Sequence, residues 1–303
     1  MSTFQLQCHI MPWNIDHFLF LCDTLKKSFY HLSGEDKIVI NTTLNLSSKI
    51  VDWDKSKLPK EFFIEKYYIT SNLLNDYTHN LKVYEGDEVY GHLDTQKECY
   101  NKEADYYIAI SPNISFSEYL LFYMMEYAKQ IENEYFILTP QIFKGWDASW
   151  DVLVNDRFKD IPYTECIDHD IHKIRSQTSN LDTPEILPLN QFKYAGWLDL
   201  YNKAFYEKLA PTPEDWKGYG PWDSYSIKIC YMANQAGVDV KQYLLKNEVI
   251  WFYETGTLKN KEVYGTDGQF KMLYQNYLEL KLGKSEQRSY IEDNMEQYLH
   301  EWG

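Results

Sequence analysis

Residues 4–40, FQLQCHIMPWNIDHFLFLCDTLKKSFYHLSGEDKIVI, decide the fold class. Over residues 4–10 apolar and polar side chains alternate, the period of a β-strand. From residue 15 to 31 the period lengthens to that of a helix, with Phe18, Leu21, Cys22, Leu25 and Phe29 on one face. Residues 37–40 return to strand character. A strand, a helix and a strand in this order form a βαβ unit, which places its strands parallel in one sheet. In such sheets ligands gather outside the carboxyl ends of the strands.

The alternation continues. Residues 62–74 predict a helix, 81–84 a short strand and 93–101 a helix. Residues 105–110 (DYYIAI) form an apolar run of the kind buried in a parallel sheet. Ser115 or Ser117 is placed to cap a helix running to residue 131, and 135–139 (YFILT) is the next strand. The strand ends are then His9 to Asn14, Asn41-Thr42-Thr43, Ser111-Pro112-Asn113 and Thr139-Pro140-Gln141, all polar or proline-bearing, as a binding crevice needs. No GxGxxG follows the first strand and no GxxxxGK[ST] occurs, which argues against dehydrogenase-type dinucleotide binding and phosphate-loop NTPases.

The second half is less regular. Residues 156–190 read as a long polar excursion, a flap over a site. Residues 192–197 (FKYAGW) have strand character, 198–209 helical character, and 224–236 form a helix that Gly237 ends before a strand at 238–244. The expected architecture is a single α/β domain over residues 1–260, a mostly parallel central sheet flanked by helices. A C-terminal helical arm follows at 261–303.

Composition narrows the function. The 45 acidic against 30 basic residues give a formal charge of −15, which repels phosphate backbones and anionic membranes, so nucleic acid is a disfavoured partner. Cys8, Cys22, Cys99, Cys166 and Cys230 are scattered, odd in number and without a CxxC pair, which speaks against a zinc ribbon or disulfide framework and for a reducing compartment. No apolar run approaches the roughly 20 residues of a membrane span. A cytoplasmic protein is expected. Aromatic residues reach 17%, including 27 tyrosines and 9 tryptophans. Surface stacking faces and a bias in base composition both account for such a number.

Two clusters carry chemistry. Gly218-Tyr219-Gly220-Pro221-Trp222-Asp223 places two glycines and a proline before a carboxylate at a helix start. It is either a Gly-Pro turn capped by Asp223 or a loop that delivers that carboxylate to a substrate. In Gly145-Trp146-Asp147-Ala148-Ser149-Trp150-Asp151 the tryptophans are four apart. On a helix Trp146 and Trp150 share one face and Asp147 and Asp151 the next, which suits a sugar ring with its hydroxyls, or equally two buried rings beside surface acids. His169 and His172 lack a third ligand at zinc spacing and read as a polar loop.

The order of strand, Ala195-Gly196-Trp197, helix, the Gly218–Asp223 loop, helix and Val238 to Tyr243 resembles the acceptor half of inverting glycosyltransferases of the GT-A fold. The likeness extends over roughly residues 4 to 250, and the chain is also similar to glycosyltransferase-like proteins encoded by bacteriophages. The resemblance implies a nucleotide-binding half at 1–142 and an acceptor half at 143–260. It makes Asp223 the general base, with Trp222 where a first acid is common, and Tyr219, Trp222, Trp146, Asp147, Trp150 and Asp151 the acceptor side. It assigns a UDP- or GDP-linked donor to Pro12, Trp13 and Asn14 and to the stretch from Asn41 to Ser48 in place of an acidic turn. Gly91, His92 and Asp94 would approach the ribose and pyrophosphate, and Gly196 and Trp197 the donor sugar.

The family's Asp-x-Asp, which holds Mn²⁺ or Mg²⁺ on the donor diphosphate, corresponds here to Ser111-Pro112-Asn113. Asn113 offers a carbonyl oxygen but no charge. Three expectations follow: Asn113 ligates a metal with help from Asp94, cations such as Lys193 or Arg175 meet the phosphates, or donor binding is lost. Three functions are weighed: nucleotide-sugar-dependent transfer of a sugar, with inversion, to a carbohydrate or other acceptor hydroxyl; a catalytically degenerate domain that only binds a glycan or nucleotide; and transfer to hydroxymethylated bases of phage DNA, which the negative charge disfavours.

Overall fold

The computed structural model describes residues 1–32, 34–48, 58–87, 98–144, 184–190, 198–208, 230 and 233–252. Nine strands make one mixed sheet among these residues. They are β1 Thr3–Ile10, β2 Lys37–Asn45, β3 Thr78–Tyr84, β4 Tyr106–Ile110, β5 Ile114–Phe116, β6 Tyr135–Lys144, β7 Glu185–Pro188, β8 Leu198–Asn202 and β9 Val240–Phe252. Their order is β3-β2-β1-β4-β8-β6-β9-β5, with β7 on β9. The expected parallel sheet is the half β3-β2-β1-β4. The other half is mixed: β8 runs antiparallel to both β4 and β6, while β6 and β9 are parallel.

Among the described residues the strands are accompanied by the helices α1 Ile15–Tyr30, α2 Lys60–Ser71, α3 Leu120–Ala128 and the short α4 Lys203–Lys208. Period-two alternation explains how β1 sits. Phe4, Leu6, Cys8 and Ile10 are at most 1% exposed and join the core formed with Phe18, Leu21, Cys22 and Leu25 of α1 and Leu121 and Met124 of α3. The five predicted α1 residues are all buried. Phe18 stacks on Tyr67 of α2 at 5.2 Å with rings 5° apart, which fixes the α1–α2 pair to the sheet.

The opposite face of the sheet is polar yet buried. Gln5, Gln7, His9, Asn41, Thr43, Asn45 and Asp199 are all 6% exposed or less. The strand register places Gln7 beside Asn41 on one side and Ala109 on the other, with Asp199 next in the same row.

Several boundaries differ from the sequence reading. Asn41-Thr42-Thr43 lies inside β2, paired with Gln7, Cys8 and His9, because β-branched threonines fit a pleated ladder as well as the preceding isoleucines do. Thr139-Pro140-Gln141 lies inside β6, where the register with β9 shifts between Pro140 and Gln141. A proline in a strand belongs at such an irregularity. Ser115 is in β5 and the helix begins at Leu120. Residues 198–209, expected to be helical, start as β8 and turn helical only at Lys203. Gly237 does end its helix, at φ 82°, with Val238 N–H donating to Ala233 O. The expected arm at 261–303 lies outside the described residues.

Candidate functional site

From β1 the chain passes through α1 to β2 on one side, and β4 lies on the other side of β1. The strand order therefore reverses between β1 and β4, and their carboxyl ends open a crevice. Two short turns face this switch point. After Ile10, Met11 is extended (φ −98°, ψ 157°), and Pro12–Asn14 form one turn of 3₁₀-helix closed by Asn14 N–H to Met11 O at 2.9 Å. Proline at the first position fixes φ for that turn, which runs straight into α1.

After Ile110 comes Ser111-Pro112-Asn113, with Asn113 only 6% exposed. The Ser111 hydroxyl donates to Asn113 Oδ1 at 2.5 Å, so the turn is closed by its own side chains. The resemblance implies Mn²⁺ or Mg²⁺ at this position, but these residues do not fit one. A hard divalent cation on a diphosphate takes carboxylate oxygens. Here there is a hydroxyl, a proline and a carboxamide whose oxygen already accepts a proton. Among the described residues no three His, Cys, Asp or Glu side chains converge as metal ligands.

The end of β2 is held by a small polar network. Ser47 donates its hydroxyl to Asn45 Oδ1 at 2.9 Å, and Ser48 donates to Asp87 Oδ1 at 2.6 Å. Ser48 N–H also reaches Gly86 O at 2.7 Å, in a turn where Gly86 takes φ 104°. The sequence reading found no acid at this edge. The turn after β3 supplies one, Asp87, and the signal was a Gly-Asp pair closing a strand. Behind this edge His9 Nδ1 lies 2.6 Å from Thr43 Oγ1, both buried, one residue short of the end of β1.

Of the predicted donor residues, Pro12, Asn14, Ser111 and Asn113 come together at the switch point, and the backbone of Trp13 lies in the same turn. Asn41 does not join them. Its amide is used at both ends inside the sheet face, donating to Cys99 O at 3.0 Å and accepting from Asn80 Nδ2 at 2.9 Å. Gly91, His92, Asp94, Trp146, Asp147, Trp150, Asp151, Gly196, Trp197, Tyr219, Trp222 and Asp223 lie outside the described residues. So do Lys193, Arg175, His169 and His172.

One acid that sequence reasoning passed over stands at the crevice end of β8. Asp199 is fully buried, and its Oδ2 accepts the Tyr201 hydroxyl at 2.9 Å. Burial pushes its carboxyl well above the usual carboxylate range, and the tyrosine bond only partly opposes that. Among the described residues no disulfide forms, and no helix is long and apolar enough to cross a membrane.

No protein-family model matches the chain, and no curated protein matches it either. Solved structures do. S. aureus TarS 1–349 in complex with UDP-GlcNAc superposes with a TM-score of 0.49 at 11% identity, covering 89% of this chain and 64% of that one. GalNAc-T7 with UDP, GalNAc and Mn²⁺ gives 0.44 at 13%, covering 84% and 44%. A mycobacterial protein gives 0.43 at 9%, covering 84% and 68%. The chain thus spans under two thirds of the first two. At these values the likeness assigns neither activity nor ligand to this chain.

Proposed function

We propose that the chain is a glycosyltransferase that takes its sugar from a nucleoside-diphosphate donor bound at the carboxyl ends of β1 and β4. The observation that supports this reading is the pair of proline turns, Pro12–Asn14 and Ser111 to Asn113, set across the switch point of the sheet. Directly behind the first turn lies the N-terminal end of α1, and the positive end of a helix dipole suits an anionic ligand.

Asp223 is the proposed base. Its carboxylate takes the proton of an acceptor hydroxyl while the hydroxyl oxygen bonds to the anomeric carbon. The bond from that carbon to the diphosphate oxygen breaks on the opposite face, its electron pair leaves with the nucleoside diphosphate, and configuration inverts. Alignment of the two reactants lowers the barrier, and neutral hydrogen-bond donors around the turn meet the leaving diphosphate. No step passes through a metal.

The test is product analysis with a panel of nucleotide sugars and hydroxyl acceptors. Release of a nucleoside diphosphate that requires acceptor, and is lost in Asp223→Asn with the fold intact, supports the reading. Full activity in that variant removes Asp223 from the mechanism.

A second reading, a domain that binds a nucleotide or glycan without reaction, is favoured by one observation. The Ser111–Asn113 bond leaves the diphosphate position without a charge. Such a domain binds nucleotide but releases no product with any acceptor.

A further inference from the structure

A surface helix normally turns a charged face to water. The outer side of α3 does not. With one side of this helix in the core, Tyr119, Phe122, Tyr123, Glu126 and Tyr127 fall at helical spacing on the other, and Glu126 is the single charge among them. Tyr119 is 45% exposed and the other four are half-buried. The rings make a row. Phe122 and Tyr123 lie 5.4 Å apart, and Tyr123 and Tyr127 6.5 Å. At the other end Tyr119 lies 4.3 Å from His31, and His31 5.5 Å from Tyr30, which is 86% exposed. An apolar strip of this kind marks a surface that another element covers.

The topology brings such an element to this place. β9 ends at Phe252, paired with Ile114 of β5, and β5 both edges the sheet and leads into α3. Residues 253–303 continue from that point and lie outside the described residues. Their sequence carries a matching stripe: Phe270, Leu273, Tyr274, Tyr277 and Leu278 recur at helical spacing, and Gly283 follows. The linker 253–268 reaches up to about 50 Å at roughly 3.3 Å per residue, enough to bring the stripe back over α3. Charge agrees. The stretch 269–284 sets Lys271, Lys281 and Lys284 against Glu279, a positive balance in an acidic chain. The rim of α3 carries Glu118 and Glu126, and Lys129 at its end already bonds Asp36 and Glu126. Rim charges of this kind fix orientation more than affinity.

We propose that the outer face of α3 is the seat of the chain's own C-terminal segment. Residues 269–282 form an amphipathic helix whose apolar stripe lies along Tyr119, Phe122 and Tyr123, the way a helix fills an apolar groove. Docked there, it covers α3 beside the β5 edge of the sheet. The seat is independent of the glycosyltransferase reading, because neither the switch-point turns nor Asp223 takes part in it.

Two measurements on the full chain test it. Under mild oxidation, Tyr119→Cys combined with Tyr274→Cys or Tyr277→Cys should close an intramolecular disulfide, identified by peptide mapping. It should form at least about tenfold faster than with Glu279→Cys, on the opposite side of the predicted helix, or than between Ile69→Cys and Tyr274→Cys. Ile69, 64% exposed, stands on α2, the connection from β2 to the opposite edge strand β3. Equal rates overturn the seat. A disulfide that forms only between molecules gives the face to a second copy and overturns it as well. Hydrogen exchange at the amides of 270–282 should be at least about tenfold slower than in an unstructured chain, and Tyr119→Lys should remove that protection while β1 and β2 keep theirs. Unprotected amides in the parent chain, or protection unchanged in the variant, overturn the proposal.

Discussion

Ser111 donates its hydroxyl to Asn113 Oδ1 at 2.5 Å, so the turn after β4 satisfies itself and presents neither a carboxylate nor a free amide oxygen to a cation. Nucleoside-diphosphate binding is therefore expected to be the same in EDTA and in Mn²⁺, measured by titration calorimetry. Ser111→Asp breaks the closure and adds a carboxylate, and this variant should bind the nucleotide more tightly once Mn²⁺ is supplied. A wild-type protein that binds only with metal contradicts the neutral turn.

His79 of β3 sits in a network with Tyr67 and Thr42: its Nε2 lies 2.5 Å from the Tyr67 hydroxyl and 3.1 Å from Thr42 Oγ1, and Thr42 also bonds Tyr67. Burial lowers the pKa of His79 from its ordinary 6.5, so the folded protein keeps the ring neutral while the unfolded chain protonates more readily. The associated stability is fully present above about 6.5 and is lost progressively as pH falls from there to the folded value. Denaturant midpoints between pH 8 and about 5 should decline, and His79→Gln should flatten this part of the decline.

Phe18 is 1% exposed and lies flat on Tyr67 between α1, α2 and the sheet. Phe18→Ala removes a buried ring and leaves a cavity, at a cost of about 3–5 kcal/mol. Urea unfolding monitored by circular dichroism should show this loss. A change under about 1 kcal/mol would mean that the helix pair is not packed as described.

Gly86 holds φ 104° with open space around its Cα, so a side chain there meets backbone strain rather than a clash. Gly86→Ala should destabilise by about 1–2 kcal/mol. It should also loosen the Ser48 bonds to Gly86 and Asp87, seen as faster amide exchange at Ser48.

The βαβ half was legible because its signals are local. Alternation marked β1, and the spacing of Phe18, Leu21, Cys22, Leu25 and Phe29 marked the buried stripe of α1. The strand ends at Pro12 and Ser111 followed from punctuation by proline and polar residues. The β8 strand was missed because Asp199 and Asn202 are poor strand formers, while Tyr201, Phe205 and Leu209 keep helical spacing. Pairing with β4 and β6 on both sides overrides that preference, and no local pattern reports such pairing. Asn41 was misplaced for a related reason. Alternation identifies a strand, but it does not tell whether the polar face meets water or, as here for Asn41, is covered and has its amide taken up by Cys99 O and by Asn80 of the neighbouring strand. Asp87 reaches Ser48 across 39 positions of sequence, a distance at which spacing carries no information.

The most direct test of donor binding at the switch point is a crystal structure of the protein with a nucleoside diphosphate. The diphosphate is predicted to lie between Pro12–Asn14 and the Ser111–Asn113 turn, over the first turn of α1 and without a metal ion on Asn113. A nucleotide bound elsewhere on the protein, or no binding at saturating concentration, would contradict it.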